Sequence, residues 1–170
     1  RLATLTEQLE NQTNPAYSLI ANVETPEHKV RVLARLAGVL SRVGNAKQAA
    51  SILEQAQTIT AEIEGPEQLS ALVHIGVCLI HMGQEEAALT QIGGILSAVD
   101  KLKETEAQIG TLVGLVGSLD EFREQKSIQP VIEQASARVE ALQQQGDPIL
   151  RLVGKIDGAG GRVRVLCNLA

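Results

Sequence analysis

Residues 26–44 read PEHKVRVLARLAGVLSRVG, and their spacing decides the fold class. Leu33, Leu36, Ala37 and Leu40 recur at i, i+3, i+4 and i+7, which gathers them on one side of an α-helix. Pro26 follows Thr25, a cap-type residue. Proline is tolerated at the first helical position because the N–H it lacks would have no partner there. Gly44-Asn45 closes the stretch, and glycine ends a helix cheaply by taking the left-handed conformation.

The same punctuation runs through the chain. Asn14-Pro15, Gly65-Pro66 and Asp147-Pro148 mark further helix starts. Thr105 with Gln108 has the spacing of a capping box, and Pro130 fits a first turn capped by Ser127. Leu72, Ile75, Gly76 and Leu79 repeat the helical spacing, and nothing alternates with period two over a useful length. The pattern predicts helices near 2–12, 15–23, 26–43, 46–63, 66–82, 84–102, 105–121, 127–145 and 148–156. A last one starts near 162, and Gly44-Asn45 and Gly83 form tight turns between paired helices.

Two repeats are visible. Pro26-Glu27 returns as Pro66-Glu67, with Thr105-Glu106 after it, and Leu33, Leu72 and Leu112 are 39 and 40 residues apart. KVRVLARLA at 29–37 returns as RVRVLCNLA at 162–170, an offset of 133 residues that also carries Asn14-Pro15 onto Asp147-Pro148 and Leu9 onto Leu142. The chain therefore ends in the phase in which it begins. Together with a first residue, Arg1, that is not Met, this leads us to expect a piece of a longer array.

Composition excludes several functions. Twenty Asp+Glu against 15 Lys+Arg give a net charge of -5, whereas a general nucleic-acid binder needs a basic surface that displaces counterions. Tyr17 and Phe122 are the only aromatics, which leaves little for base or sugar stacking. Hydrophobic residues make up 44% of the 170, ample for an aliphatic core. Cys78 and Cys167 are isolated from one another in sequence, so no disulfide framework is read and a reducing compartment fits. No run of about 18 apolar residues indicates a membrane span. A cytoplasmic location is the expectation, without membrane or nucleic-acid partners.

The paired segments resemble tetratricopeptide repeats, helix–turn–helix units with the pattern W-x2-L-G-x2-Y followed by A-x3-F. The first unit reads Leu33-x2-Leu36-Ala37-x2-Leu40, Gly44, Ala49-x3-Leu53 and Ala56. The second reads Leu72-x2-Ile75-Gly76-x2-Leu79, Gly83 and Ala88-x3-Ile92; the third reads Leu112-x2-Leu115-Val116-x2-Leu119, Ile128-x3-Ile132 and Ala135. Leu and Ile replace the large aromatics, Arg123 stands at the third turn glycine, the closing proline is missing, and the period is longer than the family's. A HEAT-like reading fits that period about as well. Over residues 26–145 the resemblance implies an all-α, right-handed α-solenoid of antiparallel helix pairs with a concave, partner-binding face. The expected organisation is one helical-repeat domain over 1–170, with units at about 26–65, 66–104 and 105–146 and partial units at 1–25 and 147–170.

A basic row is the leading functional candidate. Between His28 and Lys47 there are five Lys or Arg and no acid. At roughly 100° per residue, Arg31, Arg35 and Arg42 fall within about 40° of one another. Gly38 lies on the same face and would leave room for a ligand backbone. The resemblance points Arg31 and Arg42 into the groove, with His81 and then Asp120 and Glu121 at the corresponding later places. Such a groove would run from positive to negative and orient a charged peptide. A solvated face, or pairing with glutamates of a neighbouring helix, explains the same row more plainly. The family's carboxylate clamp uses Lys and Asn where this chain has Ala34 and Gly38, so that ligand class is not carried over.

Other constellations read as structure. His74, Cys78 and His81 sit at i, i+4 and i+7, a spacing that can chelate zinc, but no fourth ligand is evident and a small buried cysteine is the better reading. Gly110, Gly114 and Gly117 lack the strand and Lys-Ser/Thr of a phosphate loop and read as close helix packing. GKIDGAGG at 154–161 reads as a degenerate helix junction. No catalytic set and no cofactor site is found. The expected function is a scaffold or adaptor that holds a protein or peptide of acidic or mixed charge. A structural, self-associating segment, or the repeat part of a larger regulator or enzyme, is the alternative.

Overall fold

The computed structural model describes residues 23–145. Among them are six α-helices, one short 3-10 turn and no strand. They are α1 (Pro26–Arg42), α2 (Ala46–Ala61), α3 (Gly65–His81), α4 (Glu85–Val99), α5 (Thr105–Leu119), the turn Asp120–Phe122 and α6 (Gln129–Gln145). The protein is all-α over this span. Expectations for 2–12, 15–23, 148–156, the 154–161 junction and the helix from 162 lie outside the described residues. The chain divides into two compact units, Arg1–Ala88 and Leu89–Ala170.

In the first unit α1 packs against α2 and α3, and α2 also touches α3. The turn between α1 and α2 shows why the chain reverses. Gly44 takes φ 87°, its N–H bonds to the Ser41 carbonyl at 3.0 Å, and the Asn45 N–H reaches the Leu40 carbonyl at 2.9 Å. This is the Schellman pattern. Asn45 then caps α2 by accepting from the Gln48 N–H at 3.3 Å, while its own amide donates to Gln48 Oε1 at 2.8 Å. Gly83, with φ 72°, repeats the device: its N–H meets the Ile80 carbonyl and the Gln84 N–H meets the Leu79 carbonyl, both at 2.9 Å.

Helix starts depart from expectation in two places. Glu64, not Gly65, caps α3; Gly65 itself takes φ 73° just before Pro66. The expected capping box at Thr105 does not form. Glu104 takes the cap position without a side-chain bond, and Gln108 instead donates to the Leu102 carbonyl at 2.8 Å. Pro130 lies in the first turn of α6, as expected, but that helix begins at Gln129, so Ile128 and not the expected Ser127 stands immediately before it.

The core of the first unit is aliphatic: it gathers Val30, Leu33, Ala34, Ala37 and Leu40 of α1, Ala49, Ile52, Leu53 and Ala56 of α2, and Leu69, Val73, Ile75, Leu79 and Ile80 of α3. Burial of such side chains is the dominant favourable term in folding. In the second unit α5 packs against α6 and the 3-10 turn, burying Leu112, Leu115, Val116, Leu119, Phe122, Ile128, Ile132 and Ala135. Buried Thr60 and Thr111 bond back to Ala56 and Ala107 carbonyls at 2.8 Å. The Gln143 amide nitrogen is buried without a hydrogen-bond partner among the described residues.

Candidate partner-binding face on α1 and α3

Two contacts fix how α1 and α3 meet. The Ser70 hydroxyl of α3 donates to the Glu27 carboxylate of α1, and His81 of α3 lies against Gly38 of α1. Both pairs are 43 residues apart, so the helices run parallel, side by side. The repeat register is 39 residues at this step. Each α1 residue therefore meets the residue one turn beyond its own equivalent in α3.

Arg31, Arg35 and Arg42 are exposed, and among the described residues they form no ion pair. The expected pairing with neighbouring glutamates is thus not made there: Glu27, the acid closest to them in sequence on α1, is taken up with Ser70. Gly38 is different from its expectation. It is buried, and the space beside it holds the His81 ring, 3.4 Å from where a Cβ would stand. It lets two helices approach and leaves no opening for a ligand backbone.

His74 is the residue of this face that sequence reasoning undervalued. Burial first, then the Arg31 and Arg35 charges, push its pKa down to about 4. Glu27 opposes the shift and His28 adds to it. The imidazole is therefore neutral near pH 7, and both guanidiniums lie close enough for their charges to act on it. Cys78 is 1% exposed, with its thiol 3.7 Å from the Met82 sulfur. Burial pushes that thiol up to about 11 against an opposing backbone hydrogen bond from Gly38. It stays protonated and behaves as a small core residue. Among the described residues no three His, Cys, Asp or Glu side chains gather as metal ligands do.

Asp120 and Glu121 belong to the second unit, on the 3-10 turn that ends α5. Asp120 pairs locally with Arg123 at 2.8 Å, both side chains more than half exposed. The expected positive-to-negative run joins residues of two separate units and is a property of neither. Gly110 and Gly114, expected to permit close helix packing, face open space, with nothing within 4 Å of where a Cβ would stand. Gly117 is exposed as well. In repeat register these glycines stand where α1 has Arg31, Arg35 and Gly38.

Sequence reasoning also missed an apolar row. Val32, Val39 and Val43 of α1 are 37%, 45% and 55% exposed, with Leu36 half-buried between them. The signal was the i, i+4, i+7, i+11 spacing, hidden because Leu36 also belongs to the core pattern. No family model matches the chain, and no curated protein or solved structure matches it either. Among the described residues no helix is long and apolar enough to cross a membrane.

Proposed function

We propose that this chain is a protein-binding scaffold, a right-handed TPR-like α-solenoid that holds a partner on the face built by α1 and α3. The single observation behind this reading is the row of exposed cations Arg31, Arg35 and Arg42, which form no ion pair among the described residues, beside the neutral His74. Exposed charges in a row on one helix set orientation and on-rate for a complementary partner. The ligand class is an acidic or mixed-charge protein segment; no catalytic role is assigned.

The test compares the wild-type chain with Arg31→Glu/Arg35→Glu/Arg42→Glu as bait in affinity capture, after circular dichroism shows equal helix content. A partner held by wild type and lost by the variant supports the reading. Equal capture by both removes the cation row from the function.

A further inference from the structure

The outward side of α1 carries two rows, not one. Arg31, Arg35 and Arg42 fill one; Val32, Leu36, Val39 and Val43 lie next to it, turned by about 80–100° around the helix axis. The opposite arc, Val30, Leu33, Ala34, Ala37 and Leu40, is buried against α2 and α3. The valine row is thus a second apolar face on a helix whose first is already used.

Repeat register shows what such a row does elsewhere in the chain. A shift of 39 residues carries Val32, Leu36 and Val39 onto Ala71, Ile75 and Cys78 of α3, which are 0%, 1% and 1% exposed, and carries Val43 onto half-buried Met82. There the row is closed by packed helices, with Gly38 of α1 against Cys78. On α1 the three valines of the row are exposed and Leu36 is half-buried. Leu36 and the three valines have the spacing by which one helix receives another.

We infer that the outer face of α1 docks an acidic amphipathic helix from a protein partner. Its apolar side lies on Val32, Leu36, Val39 and Val43, and its carboxylates face Arg31, Arg35 and Arg42. This rests on the scaffold reading above and names the partner's chemistry. The apolar row supplies area removed from water, and the arginines exclude basic partners and set the register. A lipid surface is the poorer match. Helices that lie in the bilayer interface bring Trp, Phe and Leu, whereas this row is mostly valine and α1 has no aromatic residue.

The test uses the full chain and a labelled synthetic helix of about 18 residues, roughly 27 Å long, with Leu at i, i+4, i+7 and i+11 and Glu beside each. Fluorescence anisotropy should show saturable binding that weakens as salt rises. Val32→Asp/Val39→Asp and Arg31→Glu/Arg35→Glu should each weaken it at least about ten-fold, and a version of the helix with Lys for Glu should not bind. Should the Asp pair lower helix content, Val32→Ser/Val39→Ser serves in its place, since polar hydroxyls remove the apolar row without adding charge. Absence of saturable binding overturns the inference. So does binding that the valine variants leave unchanged; if the arginine variant still loses captured partner, the scaffold reading then stands alone. Concentration-dependent self-association abolished by Val39→Asp would give the row to a second copy. Binding to phosphatidylglycerol vesicles but not to the helix would give it to a membrane. Either result overturns the acidic-helix assignment.

Discussion

Gly38 of α1 and His81 of α3 meet with room for a methyl group and little else: a Cβ on Gly38 would stand 3.4 Å from both the Cβ and the Cδ2 of His81. The His81 Cβ is fixed to the backbone and cannot swing aside. Gly38→Ala should therefore be close to neutral, the gain of about 0.5–1 kcal/mol from removing a mid-helix glycine offsetting a tight but ordinary contact. Gly38→Leu should force α1 from α3 and cost about 1–3 kcal/mol, as overpacking does. Urea denaturation of the three chains measures both, and a Leu variant as stable as wild type would show that the helices can separate freely.

Glycines elsewhere separate into two kinds. Gly83 holds φ 72°, where an L-residue is strained although nothing stands within 4 Å of the Cβ position. Gly83→Ala should lose about 1 kcal/mol. Gly114 is helical, exposed and equally unobstructed, so Gly114→Ala should gain about 0.5–1 kcal/mol from backbone entropy. Thermal melts of the two variants should move in opposite directions. A destabilised Gly114→Ala would mean that the bare strip is occupied.

The helices were legible because proline, glycine and the aliphatic spacing agree with one another around each start and stop. Thr25-Pro26, Gly44 and Gly83 act locally, so sequence alone places them. Thr105 and Gln108 misled because the Leu102 carbonyl, left open at the preceding link, competes for the glutamine amide. The arginine row was legible from helical spacing on one helix. Its lack of ion pairs among the described residues was not, because that depends in part on where Glu27 turns, and Ser70 of another helix takes up its carboxylate. The roles of Gly38 and His74 were hidden for the same reason: both come from the side-by-side packing of α1 and α3. Val32, Val39 and Val43 drew no reading from the sequence, because the exposure of an apolar side chain depends on which arc of the helix its neighbours cover.

His74 should give a pH signature with a definite sign. Its folded pKa of about 4 lies below the ordinary 6.5, so between these values the unfolded chain binds more protons. Stability is full above pH 6.5 and falls as pH drops toward 4. The loss should be on the order of 1–2 kcal/mol, allowing for solvent screening of a partly exposed group. Arg31→Ala/Arg35→Ala removes two of the lowering charges and should raise the His74 value seen by NMR titration. A value unmoved by both substitutions would mean that burial alone sets it and that the guanidiniums point elsewhere.

In the second unit Arg138 of α6 closes the end of α4. Its Nη1 donates to the Leu96 carbonyl at 2.8 Å and reaches Asp100 Oδ1 at 3.2 Å. The last four carbonyls of a helix lack intrahelical partners. Those of Ala98 and Val99 are met by the N–H groups of Lys101 and Leu102 at 3.0 Å, and Leu96 is met by the guanidinium. A charged donor at a helix C-terminus also faces the negative end of the macrodipole. Asp100 is 64% exposed, so its ion pair should contribute well under about 1 kcal/mol. Arg138→Met keeps the aliphatic stem and should cost about 1–2 kcal/mol, while Asp100→Asn should cost a few tenths (~0.3 kcal/mol). Chemical denaturation of both variants distinguishes the two contributions: equal losses would make the exposed ion pair, and not the carbonyl, the interaction that holds α6 to α4.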